Sequence, residues 1–185
     1  VWGKRDPRLR YLKFSYQNVY KDKTDLLFYF LALSLRLASR CCGMIVSRAF
    51  LEAFKADKLR QELVRRTSVK EIIDFRDFQV FDGVGIATAI ILLDRSWKGP
   101  TRVFHYLGRR ATPDLNRKHE PDYHFYVSDL PKFDGKAWIF GSKETLALYK
   151  KIDAAGVPLG TVVRVGQGMQ TGANSIFGKH SASDI

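Results

Sequence analysis

The run Ile86 to Leu93, IATAIILL, has no charged residue and is rich in β-branched side chains. It is short for a helix and apolar at nearly every position. That combination describes a central strand buried on both faces. Such a strand needs a sheet with a layer on each side, so the chain is read as α/β. Asp94-Arg95 ends the run and Lys98-Gly99-Pro100 marks the loop after it.

The preceding segments fit this frame. Thr24 caps a helix that carries Asp25 in its first turn and runs to about Ser39. It is apolar nearly all round and should pack on the sheet. Gly43 to Val46 reads as a short buried strand. A helix follows from about Phe54 to Thr67. Ala56, Leu59 and Leu63 share its inner face, and Lys55, Lys58, Glu62, Arg65 and Arg66 share a solvated one. Val69 to Phe75 reads as a strand. The order helix, strand, helix, strand, strand matches the second half of a doubly wound sheet.

Further on, Val103–Tyr106 and Tyr123–Tyr126 are β-like and flank a loop with Arg109, Arg110, Arg117 and Lys118. The texture changes after Asp134-Gly135, where a domain boundary is placed. Ser142 is a good N-cap for a helix over 145–155, closed by Gly156 and Pro158. Residues 162–178 read as strands around a glycine- and amide-rich turn. The organisation is therefore a basic aromatic leader over 1–23, an α/β part over 24–134 and a second part from 135.

Charge limits the partners. The chain has 31 Lys and Arg against 19 Asp and Glu among 185 residues, a formal net charge of +12. An excess of this size points to an anionic partner, nucleic acid first, or else to a basic solvated surface. The leader alternates Lys4, Arg5, Arg8, Arg10 and Lys13 with Trp2, Tyr11, Phe14, Tyr16 and Tyr20. That mix suits a phosphate-tracking surface with stacking groups, or a loop pinned by its aromatics. Cys41 and Cys42 are the only cysteines, too close in sequence for easy pairing, and read as reduced thiols of an intracellular protein. No apolar span is long enough for a membrane helix. The chain starts without Met and stops just after a strand-like run, so both ends are read as cuts in a longer protein.

Several catalytic patterns can be set aside. Gly83-Val84-Gly85 has the spacing of a phosphate loop, but a strand follows it rather than a helix. Strand, Asp82-Gly83 turn, strand is the better account, since Asp-Gly tolerates positive φ. This hairpin would sit at the sheet's edge with Phe81 at its rim. In HEPDYH, Pro121 argues against a helix presenting His119 and His124 together, so no metal is expected. No GxSxG, Walker lysine loop or Cys/His dyad is present. Near the C-terminus, Gly166 to Asn174, GQGMQTGAN, combines close-approach glycines with groups able to read base edges or hold phosphates. A decorated hairpin turn is the other reading.

Taken in order, TDLLFYFLAL, CCGMIVS, Lys58–Leu63, IIDFRDFQVFDGVGIATAIILL, AWIFGSKE and QGMQTGANSIF resemble the N6-adenine DNA methyltransferases of type II restriction–modification systems, including those fused to an endonuclease. The resemblance runs from about residue 20 to 178, with Cys41-Cys42 where the family has Gly and Ser47 where it has Pro. It implies the C-terminal half of a Rossmann-like sheet that uses S-adenosylmethionine, then the start of a mixed α+β DNA-specificity domain of TaqI-like kind. The family's cofactor glycine loop and its Asn-Pro-Pro-Tyr motif are not in this chain, which implies no catalytic residue here and an inactive isolated piece.

By residue, the resemblance gives Phe30 as an aromatic lining the cofactor adenine, where a core aromatic on a buried helix is the alternative. Phe81 becomes the platform for a flipped target adenine, favoured over simple packing. Gln170, Thr171, Gly172 and Asn174 become DNA contacts. The implied partner is double-stranded DNA, with an endonuclease domain or subunit in some members, in a prokaryotic cytoplasm. A non-catalytic DNA-binding or specificity module is the competing function.

Overall fold

A computed structural model describes residues 6–21, 24–130, 135–164 and 166. Two compact units result, one ending at Ser142 and one beginning at Lys143.

The first unit is a mixed α/β structure built on one five-stranded sheet. Its elements are α1 (Pro7–Ser15), α2 (Leu26–Leu37), β1 (Cys41–Ser47), α3 (Ala49–Glu52), α4 (Asp57–Arg66), β2 (Ser68–Asp74), β3 (Thr88–Asp94), β4 (Thr101–Tyr106) and β5 (Tyr123–Ser128). The strand order is β1-β3-β2-β4-β5. β3 is antiparallel to both β1 and β2, and β2 is parallel to β4. β1, β2 and β4 therefore run the same way, and their carboxyl ends share one rim. The β2–β3 pair is not an edge hairpin. β2 is the central strand, because β4 pairs on its far side.

The basic leader is partly helical. Asp6 caps α1 by accepting the Arg8 amide, and Pro7 opens the helix, where its missing N–H costs nothing. α2 begins one residue later than the sequence suggests. Asp25, not Thr24, accepts the Leu27 amide, while the Thr24 hydroxyl bonds Lys21 O and Tyr29 Oη. α4 is preceded by a single 3-10 turn over Phe54–Ala56. Glu62 is not on a solvated face. It is buried and holds Arg65 at 2.7 Å together with Arg66.

Two cores lie on opposite faces of the sheet. On one, α1, α2, α3 and α4 cover Val46, Val69, Ile72, Ala89, Ile91, Leu93 and Val103. On the other, Ile73, Phe75, Phe104, Tyr106 and Tyr123 form an aromatic cluster with Phe78, Val80 and Ile90. From Thr88 on, the IATAIILL run is thus buried because it sits between two paired neighbours, with only its alternate residues Ile90 and Leu92 partly open; Ile86 and Ala87 lie outside the strand, and Ile86 is exposed.

A buried guanidinium ties the helices to the chain's later part. Arg60 of α4 donates to Gly135 O at 2.9 and 2.7 Å, and to Phe50 O and Ala53 O at 3.0 Å each. Gly135 has φ +70°, and a Cβ there would lie 2.8 Å from Asp57 O, so glycine is required. Trp138 follows, buried edge-on against Phe50, with its amide bonded to Leu51 O at 2.8 Å. Residues 135–142 therefore pack on the first unit.

The second unit contains α5 (Lys143–Ala155), starting directly after Ser142, and α6 (Leu159–Val162). Val162 ends a helical turn where a strand was expected, and the GQGMQTGAN turn lies outside the described residues except for Gly166.

Replacing Arg60 by Met keeps the bulk and leaves three buried carbonyls without their charged donor. Unfolding free energy should fall by about 3 kcal/mol. Urea denaturation measures it, and hydrogen exchange should show amides 136–142 losing protection before the sheet does. Unchanged protection there would contradict the tie.

Candidate functional site

The carboxyl-terminal rim of β1, β2 and β4 carries one group of buried polar residues, Asp74, Thr88 and His105. One row of the ladder runs Val46, Ala89, Asp74, His105, His124 across all five strands. Asp74 ends β2 and is 1% exposed. Arg48, just past β1, reaches it with two bonds, Nε to Oδ1 at 3.0 Å and Nη2 to Oδ2 at 3.1 Å. The same guanidinium holds Glu52 at 2.7 Å. Burial works against its charge, but Asp74 and Glu52 outweigh that and raise its pKa. The bidentate fork explains how a carboxylate can sit buried at this rim.

His105 of β4 lies beside Asp74, with Nε2 3.9 Å from Oδ2, beyond hydrogen-bond reach. Its ring packs edge-on against Tyr126 at 5.0 Å. Nε2 is buried with no hydrogen-bond partner. Burial pushes the imidazole down to about 4, helped by Arg76, Arg48 and His124 and opposed by the Asp74 charge. His105 is therefore neutral near pH 7.

Asp74 also starts the loop that follows. Its Oδ1 accepts the Arg76 amide at 2.9 Å, and Arg76 takes φ +54°, a left-handed conformation uncommon for a non-glycine. Phe78 then turns back into the aromatic cluster, its ring 5.0 Å from Tyr106, and Val80 packs there too. Phe81 does not. It is 46% exposed, at the first position of a turn closed by Val84 N–H to Phe81 O at 3.3 Å. Gly83 supplies the positive φ, at +70°. Val84 and Ile86 are also exposed, so the loop tip presents three apolar side chains to solvent.

Phe30 is not a core aromatic. It is 58% exposed on α2, in one stripe with Leu26 and Leu37. α2 ends beside the start of β1, where Arg95, just past β3, donates to Leu35 O at 2.6 Å. Among the described residues no ring contact joins Phe30 to Phe81. Gln170, Thr171, Gly172 and Asn174 lie outside the described residues.

The Arg48–Asp74–His105 group was missed in the sequence. A signal existed: each of three apolar runs ends in a polar residue, at Ser47-Arg48, Asp74 and His105. Among the described residues no cluster of His, Cys, Asp or Glu could hold a metal ion, and no helix is long and apolar enough to cross a membrane.

A folded pKa of about 4 for His105, below the ordinary 6.5, fixes a sign. Between those values the unfolded chain binds a proton that the folded chain refuses. Stability should therefore fall as pH drops from about 6.5 to 4, by up to about 3 kcal/mol from this group. Urea midpoints at pH 7 and 4.5 should converge in His105→Gln relative to wild type. Parallel losses in both proteins would contradict it.

Comparison with known proteins finds a restriction-modification methylase family model over part of the chain. Residues 3–81 match the model of the Eco57I restriction-modification methylase family. No curated protein matches the chain. Among solved structures, the cryoEM structure of a DrdV–DNA complex is 20% identical, with TM-score 0.46, over 73% of this chain and 16% of that one. The type IIG restriction endonuclease BpuSI is 13% identical, with TM-score 0.49, over 69% of this chain and 18% of that one. A structure of type I R-M system assembly is 12% identical, with TM-score 0.40, over 83% of this chain and 40% of that one. The chain thus spans less than a fifth of the first two proteins.

Proposed function

We propose that this chain is part of a DNA methyltransferase of a restriction–modification system that transfers a methyl group from S-adenosylmethionine to N6 of an adenine flipped out of duplex DNA. In this reading residues 24–134 are the C-terminal half of the catalytic sheet. Residues 135–185 begin the DNA-specificity domain. The observation that carries it is Phe81, half-exposed on the loop that leaves the rim of the co-directional strands at Asp74, in a chain whose residues 3–81 match the methylase family model.

The chemistry asked of Phe81 is simple. A base taken out of the stack loses several kcal/mol of stacking and pairing, and an aromatic face in the receiving site offsets part of that loss. Phe78 and Val80 anchor the loop in the core, which frees Phe81 from any packing duty. Val84 and Ile86 extend the apolar surface around it. Asp74 fixes where the loop leaves the sheet.

The cofactor is a different matter. Phe30 offers an exposed ring, enough for one wall against an adenine. The polar groups near it on α2 are already engaged, Asp25 by the Leu27 amide and Ser34 by Leu31 O. Phe30 would therefore be one wall of a site completed by residues outside this chain; the second reading is a DNA-binding or specificity module without catalysis of its own.

The protein encoded by the whole gene should bind S-adenosylmethionine and methylate duplex DNA at one site. With 2-aminopurine at the target position, fluorescence should rise on binding, and Phe81→Ala should reduce both the rise and the methylation rate at least ~10-fold. No binding of S-adenosylmethionine would leave the non-catalytic module. Full fluorescence and activity in Phe81→Ala would remove the stacking role.

A further inference from the structure

α1 is held to its unit by its inner side, where Leu12 and Tyr16 are buried and Val19 follows just beyond. Its outer side carries Arg10, Lys13 and Phe14, with Gln17 just beyond its end. Together with Tyr20 and Lys58 of α4 they line an open groove of about 490 Å³. No acidic side chain lines it. Arg10, Lys13 and Lys58 form no ion pair among the described residues. The carboxylates of neighbouring segments are committed elsewhere, Asp6 to Arg8, Asp57 to Lys21, and Glu62 to Arg65 and Arg66. The groove therefore keeps three uncompensated positive charges.

Its apolar part is equally open. Phe14 is 79% exposed although its helix is firmly seated. A bare aromatic among free cations fits a ligand that alternates anionic groups with flat or apolar faces. A polynucleotide strand has that alternation. Arg10 and Lys13 are one helical turn apart, with stems long enough to adjust to successive phosphates.

Position adds a second argument. β1 runs to Ser47 at the rim, α3 follows, and α4 begins at Asp57 on that same side before returning to Arg66 beside the start of β2. Lys58 is in the first turn of α4. The groove thus opens at the end of the sheet where Asp74 launches the Phe81 loop. The Lys21–Asp57 pair, at 2.8 Å, pins the segment after α1 to that end.

We propose that the α1 groove is a docking site for the sugar–phosphate backbone of duplex DNA. Arg10, Lys13 and Lys58 take phosphates, and Phe14 and Tyr20 pack on the sugars between them. This rests on the methyltransferase reading for its ligand, a duplex that reaches Phe81 with one base and crosses α1 with its backbone. Backbone contacts position without reading sequence.

Titrating the 185-residue chain with a short labelled duplex over a range of salt tests this. Arg10→Gln, Lys13→Gln and Lys58→Gln together should flatten the plot of log affinity against log salt by about 3 units, since each released phosphate contributes about 0.9. The loss should be equal on unrelated sequences. Lys58→Gln alone, which disturbs least, should remove about 1 unit. Phe14→Ala should weaken binding several-fold with the wild-type slope. An unchanged slope in a triple variant that melts like wild type would overturn the proposal. So would tighter binding of the wild type to poly-glutamate or to single-stranded DNA than to duplex. The two proposals separate cleanly: a lost salt slope with no 2-aminopurine signal keeps the groove and sinks base stacking at Phe81, and the reverse keeps Phe81 and sinks the groove.

Discussion

The Asp74 carboxylate is the group on which the rim depends. Arg48 brings the end of β1 to it, His105 brings β4 beside it, and the Arg76 amide begins the next loop on it. An anion this deep is costly unless its oxygens are fully bonded. The bidentate guanidinium and one backbone donor supply those bonds. In return, three strands that share a direction are held in one plane at the end where a ligand would meet them. The unpaired Nε2 of His105 is the weak point of this arrangement, since protonation there would add charge to an already buried group.

Packing explains why the loop after Asp74 can carry function at all. A loop this long is usually either functional or disordered. Here Phe78 and Val80 fold onto Phe75 and Tyr106, so the base of the loop belongs to the second core. The turn at Asp82-Gly83 then reverses the chain, and Phe81 is carried outward on a fixed stem. An aromatic presented in this way gives up part of its own burial, roughly 1–2 kcal/mol of apolar transfer. Such an exposed ring calls for a partner more than a packed one would. The three apolar side chains at the tip make that partner flat or apolar in part, as a nucleobase is.

Much of this was legible in the sequence because strands and helices here follow strong local signals. The apolar runs ending at Val46, Ile73 and Leu93 give β1, β2 and β3 within a residue or two. Sheet order was not legible. Nothing local in IIDF says that β4 will take its far side, so local signals alone make the β2–β3 pair an edge hairpin. α1 was missed as a helix because PRLRYLKFS has only Leu12 on a buried face and little amphipathic character. The Asp6-Pro7 start was its only strong cue. The Arg48–Asp74–His105 group joins residues far apart in the chain, and pairing of that kind leaves no periodic trace. The exposure of Phe81, in contrast, goes with a local cue, the Asp82-Gly83 turn that follows it.

The excess of positive charge acquires a location when the ion pairs are followed. Asp74, Asp57, Glu62, Glu71, Asp94 and Asp122 are all spent on the scaffold, each facing an Arg or Lys across or within elements. Acids used in this way cannot neutralise the remaining cations. The surplus accordingly stays where no acid is near, and the α1 groove is one such place. A uniformly basic surface would have scattered its lysines and arginines among solvated faces. Instead α1 gathers Arg10 and Lys13 beside a bare Phe14, at the end of the sheet that carries Phe81. Charge and exposed aromatic surface coincide there, the combination that the proposed contact with a DNA backbone requires.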